Sequence, residues 1–109
     1  MRSQPPDIER VTAELRHELL HLYGPRLHGV YLFGSYARGD QDDESDLDVL
    51  IVLDRVERYG AEIDRTSALV ARLSLDRGMS ISRVFASRDA WEQGDSAFLR
   101  SVREDAVRV

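Results

Sequence analysis

No cysteine occurs anywhere in the 109 residues, so disulfides and thiolate metal centres are excluded, in keeping with a reducing compartment. No stretch approaches the roughly 18 apolar residues of a membrane span, and the first residues lack the apolar core of a signal peptide. The expectation is a cytoplasmic chain with no membrane partner. Positive charge is also scarce: 15 basic residues against 20 acidic ones leave a net charge of −5. The basic residues are scattered and form no Lys-rich tail, which argues against a nonspecific grip on nucleic-acid backbone. Neither an internal repeat nor a low-complexity segment interrupts the chain. A hydrophobic share of 42% and a charged share of 32% suit an ordinary globule, with residues 1–109 forming one domain around one modest core.

Hydrophobic spacing places the elements. Ile8, Val11, Leu15, Leu19 and Leu22 mark one face of a helix entered at Pro5-Pro6 and left at Gly24-Pro25. "GVYLF" (29–33) is a short strand that stops at Gly34-Ser35, and Tyr31 and Phe33 in it are read as core. "LDVLIVL" (47–53) is nearly continuous apolar, as in a strand buried on both faces. Within 57–75, Ile63, Ser67, Val70 and Leu73 share a helical face that closes at Asp76-Arg77-Gly78. "MSISRVFA" (79–86) alternates as a third strand, with Ser80, Ser82, Val84 and Ala86 on one side and Met79, Ile81, Arg83 and Phe85 on the other. Arg83 faces either solvent or a phosphate, depending on register. Ser87 caps a short helix through Trp91, which packs on the sheet. Phe98, Leu99, Val102 and Ala106 pattern a last helix. This order predicts an α/β fold, a sheet with helices packed on it.

Two stretches carry the look of metal chemistry. "HELLH" (17–21) fits the HExxH zinc pattern, in which two histidines one helical turn apart bind the ion and the glutamate acts as base. At about 100° per residue, however, His17 and His21 fall opposite the Leu15 face, toward solvent. A catalytic zinc also needs a third ligand in a shielded cleft. The pattern reads as a solvated helix face.

The second stretch is "FGSYARGDQDDESDLDVLIVLD" (33–54). Asp46 and Asp48 stand at i and i+2, so on a strand their carboxylates point the same way, and a carboxylate at the mouth of a buried strand needs neutralising. Magnesium takes such oxygen ligands together with substrate phosphates. Ahead of the pair, Gly34 ends a strand and lets a phosphate approach the backbone. Turn amides and the Ser35 hydroxyl can hold that phosphate, and Arg38 can add a charge-assisted bond. Asp40, Asp42, Asp43 and Glu44 between them read as a solvated charge run. A phosphate cradle facing a carboxylate pair is equipment for phosphoryl or nucleotidyl transfer.

"GSYARG" followed by "SDLDVLIV" closely resembles the minimal nucleotidyltransferase domains, small members of the DNA polymerase β-like nucleotidyltransferase superfamily, and "ISRVFASRDAWEQGDSAFLRSVRED" is similar to the strand and helices that follow in them. The resemblance implies a small mixed sheet flanked by helices, two Mg2+ ions, and ATP or another nucleoside triphosphate as donor. Attack on the α-phosphorus then transfers a nucleotide, AMP for ATP, and releases pyrophosphate. Matched residue by residue, Gly34 and Ser35 hold phosphate, while Asp46 and Asp48 are the metal ligands and catalytic pair. Family members usually carry a third acid on the strand corresponding to 79–86. Here that strand has none; the natural register puts Ser82 at the position, and a shifted one Val84. Some members are antitoxins that adenylylate a helical toxin partner, which makes such a protein the expected partner and acceptor. The alternative is a catalytically weak nucleotide- or partner-binding module.

Overall fold

A computed structural model of the chain describes residues 7–109; the Pro5-Pro6 entry lies outside them. Asp7 caps α1 (Ile8–Tyr23), its side chain accepting from the Arg10 N–H at 3.2 Å. Val11, Leu15 and Leu19 are buried as the spacing predicts, but Leu22 is 43% exposed and Tyr23 is buried in its stead. Four-residue steps from Val11 land on Tyr23, and its hydroxyl is used inside. It donates to Glu62 at 2.8 Å. A 3-10 turn over Gly24–Arg26, which the sequence reading did not foresee, leads into β1 (Leu27–Phe33), two residues earlier than expected.

After β1 come α2 (Ser35–Arg38), β2 (Leu47–Leu53), α3 (Tyr59–Arg77), β3 (Ile81–Ser87), α4 (Arg88–Gln93), α5 (Ala97–Asp105) and a two-residue β4 (Val107–Arg108). The sheet order is β3-β2-β1-β4. β1 runs antiparallel to β2 and β4, and β2 runs parallel to β3, so the sheet is mixed. β2 is buried along its length except at Asp48, as a strand covered on both sides must be. Val49, Ile51 and Leu53 meet α1 and α3, with Val11, Leu15, Leu19, Val70 and Leu73. Leu50 and Val52 meet Leu99 and Val102 of α5, with Tyr31, Phe33 and Trp91 partly buried beside them. Trp91 packs on Tyr31 at 4.9 Å between ring centroids, a sheet contact as expected.

α3 is turned relative to the expected face. Glu62, Thr66, Val70 and Leu73 are buried, while Ile63 is only partly buried and Ser67 is exposed. Hydropathy cannot foresee this, because the buried polar groups are stabilised by long-range partners. Glu62 accepts from Tyr23, from Arg26 at 3.2 Å and from Arg65 at 3.2 Å. Arg83, partly buried, turns onto α3: it donates to Thr66 Oγ1 at 2.9 Å and to the Ile63 carbonyl at 2.8 Å. Ser87 caps α4 as expected, accepting from the Ala90 N–H at 3.1 Å. Phe98, expected on the packed face of α5, is 51% exposed, and Leu99 and Val102 do the packing.

Candidate active site

The mixed strand directions gather the site. Because β1 is antiparallel and β3 parallel to β2, the end of β1 and the beginnings of β2 and β3 lie on one rim of the sheet. Asp48 pairs with Phe33 on one side and with Ser82 on the other. The register is therefore the one that puts Ser82, not Val84, beside the acid. Asp48 is in phase with Leu50 and Val52, so its carboxylate faces the α4–α5 side. Asp46 is exposed just before β2, and Asp48 is half-buried.

Gly34 joins this pair to the turn. Its backbone has φ 75° and ψ −154°, a region that side chains other than hydrogen scarcely enter. A Cβ there would collide with Asp48 Oδ2 and lie 3.2 Å from its Cγ. Glycine is thus required both by the backbone angle and by the close approach of the carboxylate. From Gly34 the chain turns into α2, where the Arg38 N–H donates to the Gly34 carbonyl at 3.1 Å and the Gly39 N–H to the Ser35 carbonyl at 2.9 Å. Gly39 then ends the turn at φ 80°.

Arg38 extends over the exposed outer side of this turn. Nε donates to Asp40 at 3.1 Å, and Nη1 donates to Asp105 at 3.1 Å. These bonds raise its pKa, first that to Asp40 and then that to Asp105. Asp105, at the end of α5, was missed by sequence reasoning; it lies 67 residues from Arg38 and belongs to no local motif. Asp40, Asp42, Asp43 and Glu44 are exposed, as a charge run should be. Two of them also shape the loop: Asp40 pairs with Arg38, and Asp42 accepts from the Glu44 N–H at 2.8 Å.

The electrostatics single out Asp48. Burial pushes its pKa up, the neighbouring Asp46 adds to the rise, and Arg38 only partly offsets both. Among the described residues, no salt bridge joins Asp46 or Asp48 to a cationic side chain. A pair of carboxylates set together without a cation fits a divalent ion with oxygen preference. No cluster of three or more metal-ligating side chains occurs among the described residues; Ser82 is the residue that pairs with Asp48 on β3. His17 and His21 are exposed on α1, with ring centroids 6.1 Å apart.

Comparison with known proteins identifies the family of the chain. Residues 13–104 match the family described as Nucleotidyltransferase domain. Two proteins of Methanocaldococcus jannaschii, both provisionally named protein adenylyltransferases, are similar to the chain. One is 34% identical over 98 residues, covering 89% of this chain and 92% of the relative. The other is 35% identical over 103 residues, covering 94% and 99%. Among solved structures, a toxin–antitoxin structure with AMP-PNP superposes with a TM-score of 0.60 at 21% identity, over 87% of this chain and 69% of that one. At that identity the likeness concerns the fold alone.

Proposed function

This chain belongs to the nucleotidyltransferase domain family and is a nucleotidyltransferase; from that premise we propose that it moves AMP from magnesium-bound ATP to a hydroxyl of a partner protein. The observation that carries this reading is the contact of Asp48 with Gly34, which makes the phosphate turn and the acid pair one continuous surface. Asp46 and Asp48 would hold the magnesium, which when bound supplies Lewis-acid stabilisation of the charge on the reacting phosphate oxygens.

The chain's own residues do the positioning. Gly34, lacking a side chain, lets the β- and γ-phosphates approach the backbone, and the Ser35 hydroxyl donates to one of their oxygens. Arg38 takes part by exchanging Asp40 or Asp105 for a phosphate oxygen, which keeps its charge paired throughout. The acceptor oxygen bonds to the α-phosphorus, and pyrophosphate leaves with the electron pair of the broken bond. The names of the two archaeal relatives support an adenylyl group and a protein acceptor. The toxin–antitoxin neighbour with AMP-PNP supports an adenine nucleotide and a toxin as the kind of partner, and the family resemblance suggests that this toxin is helical and this chain its antitoxin.

One observation favours a second reading, a nucleotide- or partner-binding module with weak transfer. Ser82, neutral and no base, stands directly beside Asp48. Calorimetry and transfer assays separate the two. ATP should bind with magnesium and much more weakly with a chelator, and labelled AMP should appear on a co-purified partner. Equal affinity in both conditions overturns the site; binding without transfer to any partner leaves the module.

A further inference from the structure

β3 is an outermost strand of the sheet, with β2 on one side of it. A strand turns the backbone groups of successive residues alternately to its two sides. The Leu47 N–H donates to the Ser80 carbonyl at 2.9 Å, so the even-numbered residues of β3 spend their amides and carbonyls on β2. Ile81, Arg83 and Phe85 therefore turn theirs outward. The Phe85 N–H fixes the same direction by donating to the Tyr59 hydroxyl at 3.2 Å. Among the described residues no further strand pairs with this side of β3. An edge left so is a template for one more strand.

A groove of about 480 Å³ runs along this edge beside residues 84–87. Tyr59 and Phe98 stand in its walls, 44% and 51% exposed. Each ring is braced edge-on by a second ring, Tyr59 by Phe85 at 5.7 Å and Phe98 by Phe33 at 6.0 Å. Phe85 belongs to the core between the sheet and α1–α3, Phe33 to the one under α5, so the two walls rise from opposite faces of the sheet. Val84, Ala86 and Leu99 add apolar surface between them. The hydroxyls of Tyr59, Ser87 and Ser96 accept from the N–H groups of Phe85, Ala90 and Leu99, and the proton of each hydroxyl is left to donate. Glu57, also at the groove, is paired with Arg55 at 3.4 Å.

We infer that this groove docks an extended segment of a partner protein, which joins the sheet as a strand beside β3 and carries uncharged, mainly apolar side chains. Backbone chemistry names the occupant. The outward carbonyls of Arg83 and Phe85 call for N–H donors, and the three hydroxyls call for acceptors. An extended backbone supplies both, because every second residue turns a donor and an acceptor to the same side. Walls on both faces of the sheet cover side chains pointing either way, so the segment is apolar on both sides over about four residues, or about 13 Å. A second copy of this chain fits less well. Its β3 lies at the same depth between its own Tyr59 and Phe98, and the walls meet before two such strands reach the pairing distance of about 4.8 Å. The docked segment lies toward the Ser87 end of β3, away from the rim that holds Asp48, so the inference stands apart from the transfer reading.

The test uses the full chain and heptapeptides selected on it from a random displayed library, resynthesised with acetylated and amidated ends. The selected sequences should share an uncharged run of about four residues rich in Val, Ile, Leu and Phe. Amide chemical-shift mapping should place them on residues 83–87 and 96–99. N-methylation, one peptide residue at a time, should weaken binding by about tenfold or more at alternate positions and little between them, because only every second amide of an added strand faces β3. Phe98→Ala, at an exposed ring, should weaken binding by about tenfold and leave the peptide-free shift map unchanged beyond its neighbours. A library that yields no binder, binders with a charged run, shifts elsewhere, or N-methylation losses without alternation overturns the proposal. A chain that sediments as a dimer and dissociates as the peptide binds gives the edge to a second copy, which overturns it as well.

Discussion

Replacing Gly34 by alanine tests the join between the phosphate turn and the acids. Two costs add. The backbone at φ 75° and ψ −154° is a region where a side chain costs about 1–3 kcal/mol. The new Cβ also collides with Asp48 Oδ2 and approaches its Cβ to 3.3 Å, an overpacking cost of about 1–3 kcal/mol unless Asp48 swings away. The total is about 2–6 kcal/mol. Gly39→Ala is the reference: its φ is also positive, at 80°, but an added Cβ meets nothing within 4 Å, so only the left-handed cost of about 1–2 kcal/mol applies. In urea, at a mid-range slope of about 2 kcal/mol/M, Gly34→Ala should lower the unfolding midpoint by roughly 1–3 M and Gly39→Ala by clearly less. Adding Asp48→Ala to Gly34→Ala removes the colliding carboxylate and should return the steric part, leaving the backbone part. Calorimetry should show magnesium-ATP affinity falling by more than about tenfold in Gly34→Ala and little changed in Gly39→Ala. Equal destabilisation by the two alanines, with ATP binding intact in both, would refute the reasoning.

Other outcomes follow from the same geometry. Asp48→Asn should abolish transfer while leaving the melting temperature unchanged or higher, because it removes the proposed metal ligand and also the repulsion from Asp46; undiminished transfer sinks the catalytic role. Ser82→Asp, beside Asp48 in the register of β2 and β3, should speed transfer by the isolated chain, within the roughly 10²–10⁴-fold reach of general-base help; no acceleration would count against Ser82 as the place of a missing acid. Glu62→Gln should cost about 1–3 kcal/mol in chemical denaturation, since a buried charged acceptor loses its bonds from Tyr23, Arg26 and Arg65. Burial pushes the Glu62 pKa up, but those partners outweigh it and hold it below its ordinary 4.5. Its stabilisation is therefore full above about pH 4.5 and lost as pH falls through the lowered value. The acid limb of the stability profile should be shallower in Glu62→Gln, and an unchanged limb would count against the network.

The local patterns were legible and the distant partners were not. A nearly continuous apolar run placed β2 and implied its two buried faces, as a central strand requires. Gly34, Ser35, Asp46 and Asp48 could be singled out as candidates because they stand within one stretch of chain, and the fold sets Gly34 against Asp48. Ser82 was one of two positions, with Val84, that the resemblance offered, and the pairing of β3 with β2 sets Ser82 beside Asp48. By contrast, the rotation of α3 depends on Arg83 and on Tyr23, and a helical wheel contains neither. The two residues of β4 are too short to show a period; pairing with Tyr31 and Leu32 creates them. Asp105 is an ordinary acid at a helix end until the fold sets it against Arg38.

That last contact has a mechanical meaning. Immediately after Asp105 the chain joins the sheet: Val107 and Arg108 pair with β1, Arg108 donates to the His28 carbonyl at 3.0 Å, and the Val109 N–H donates to the Val30 carbonyl at 3.0 Å. β1 is the strand that runs on into Gly34. The end of α5 is thus anchored at two points of one lever, the strand leading into the phosphate turn and the arginine that closes it. A load on α5, such as a bound chain levering it off the sheet, would reach Gly34 along β1 and Arg38 through Asp105 together. In the transfer reading proposed above, grip on the triphosphate would then respond to what is held against the last helix.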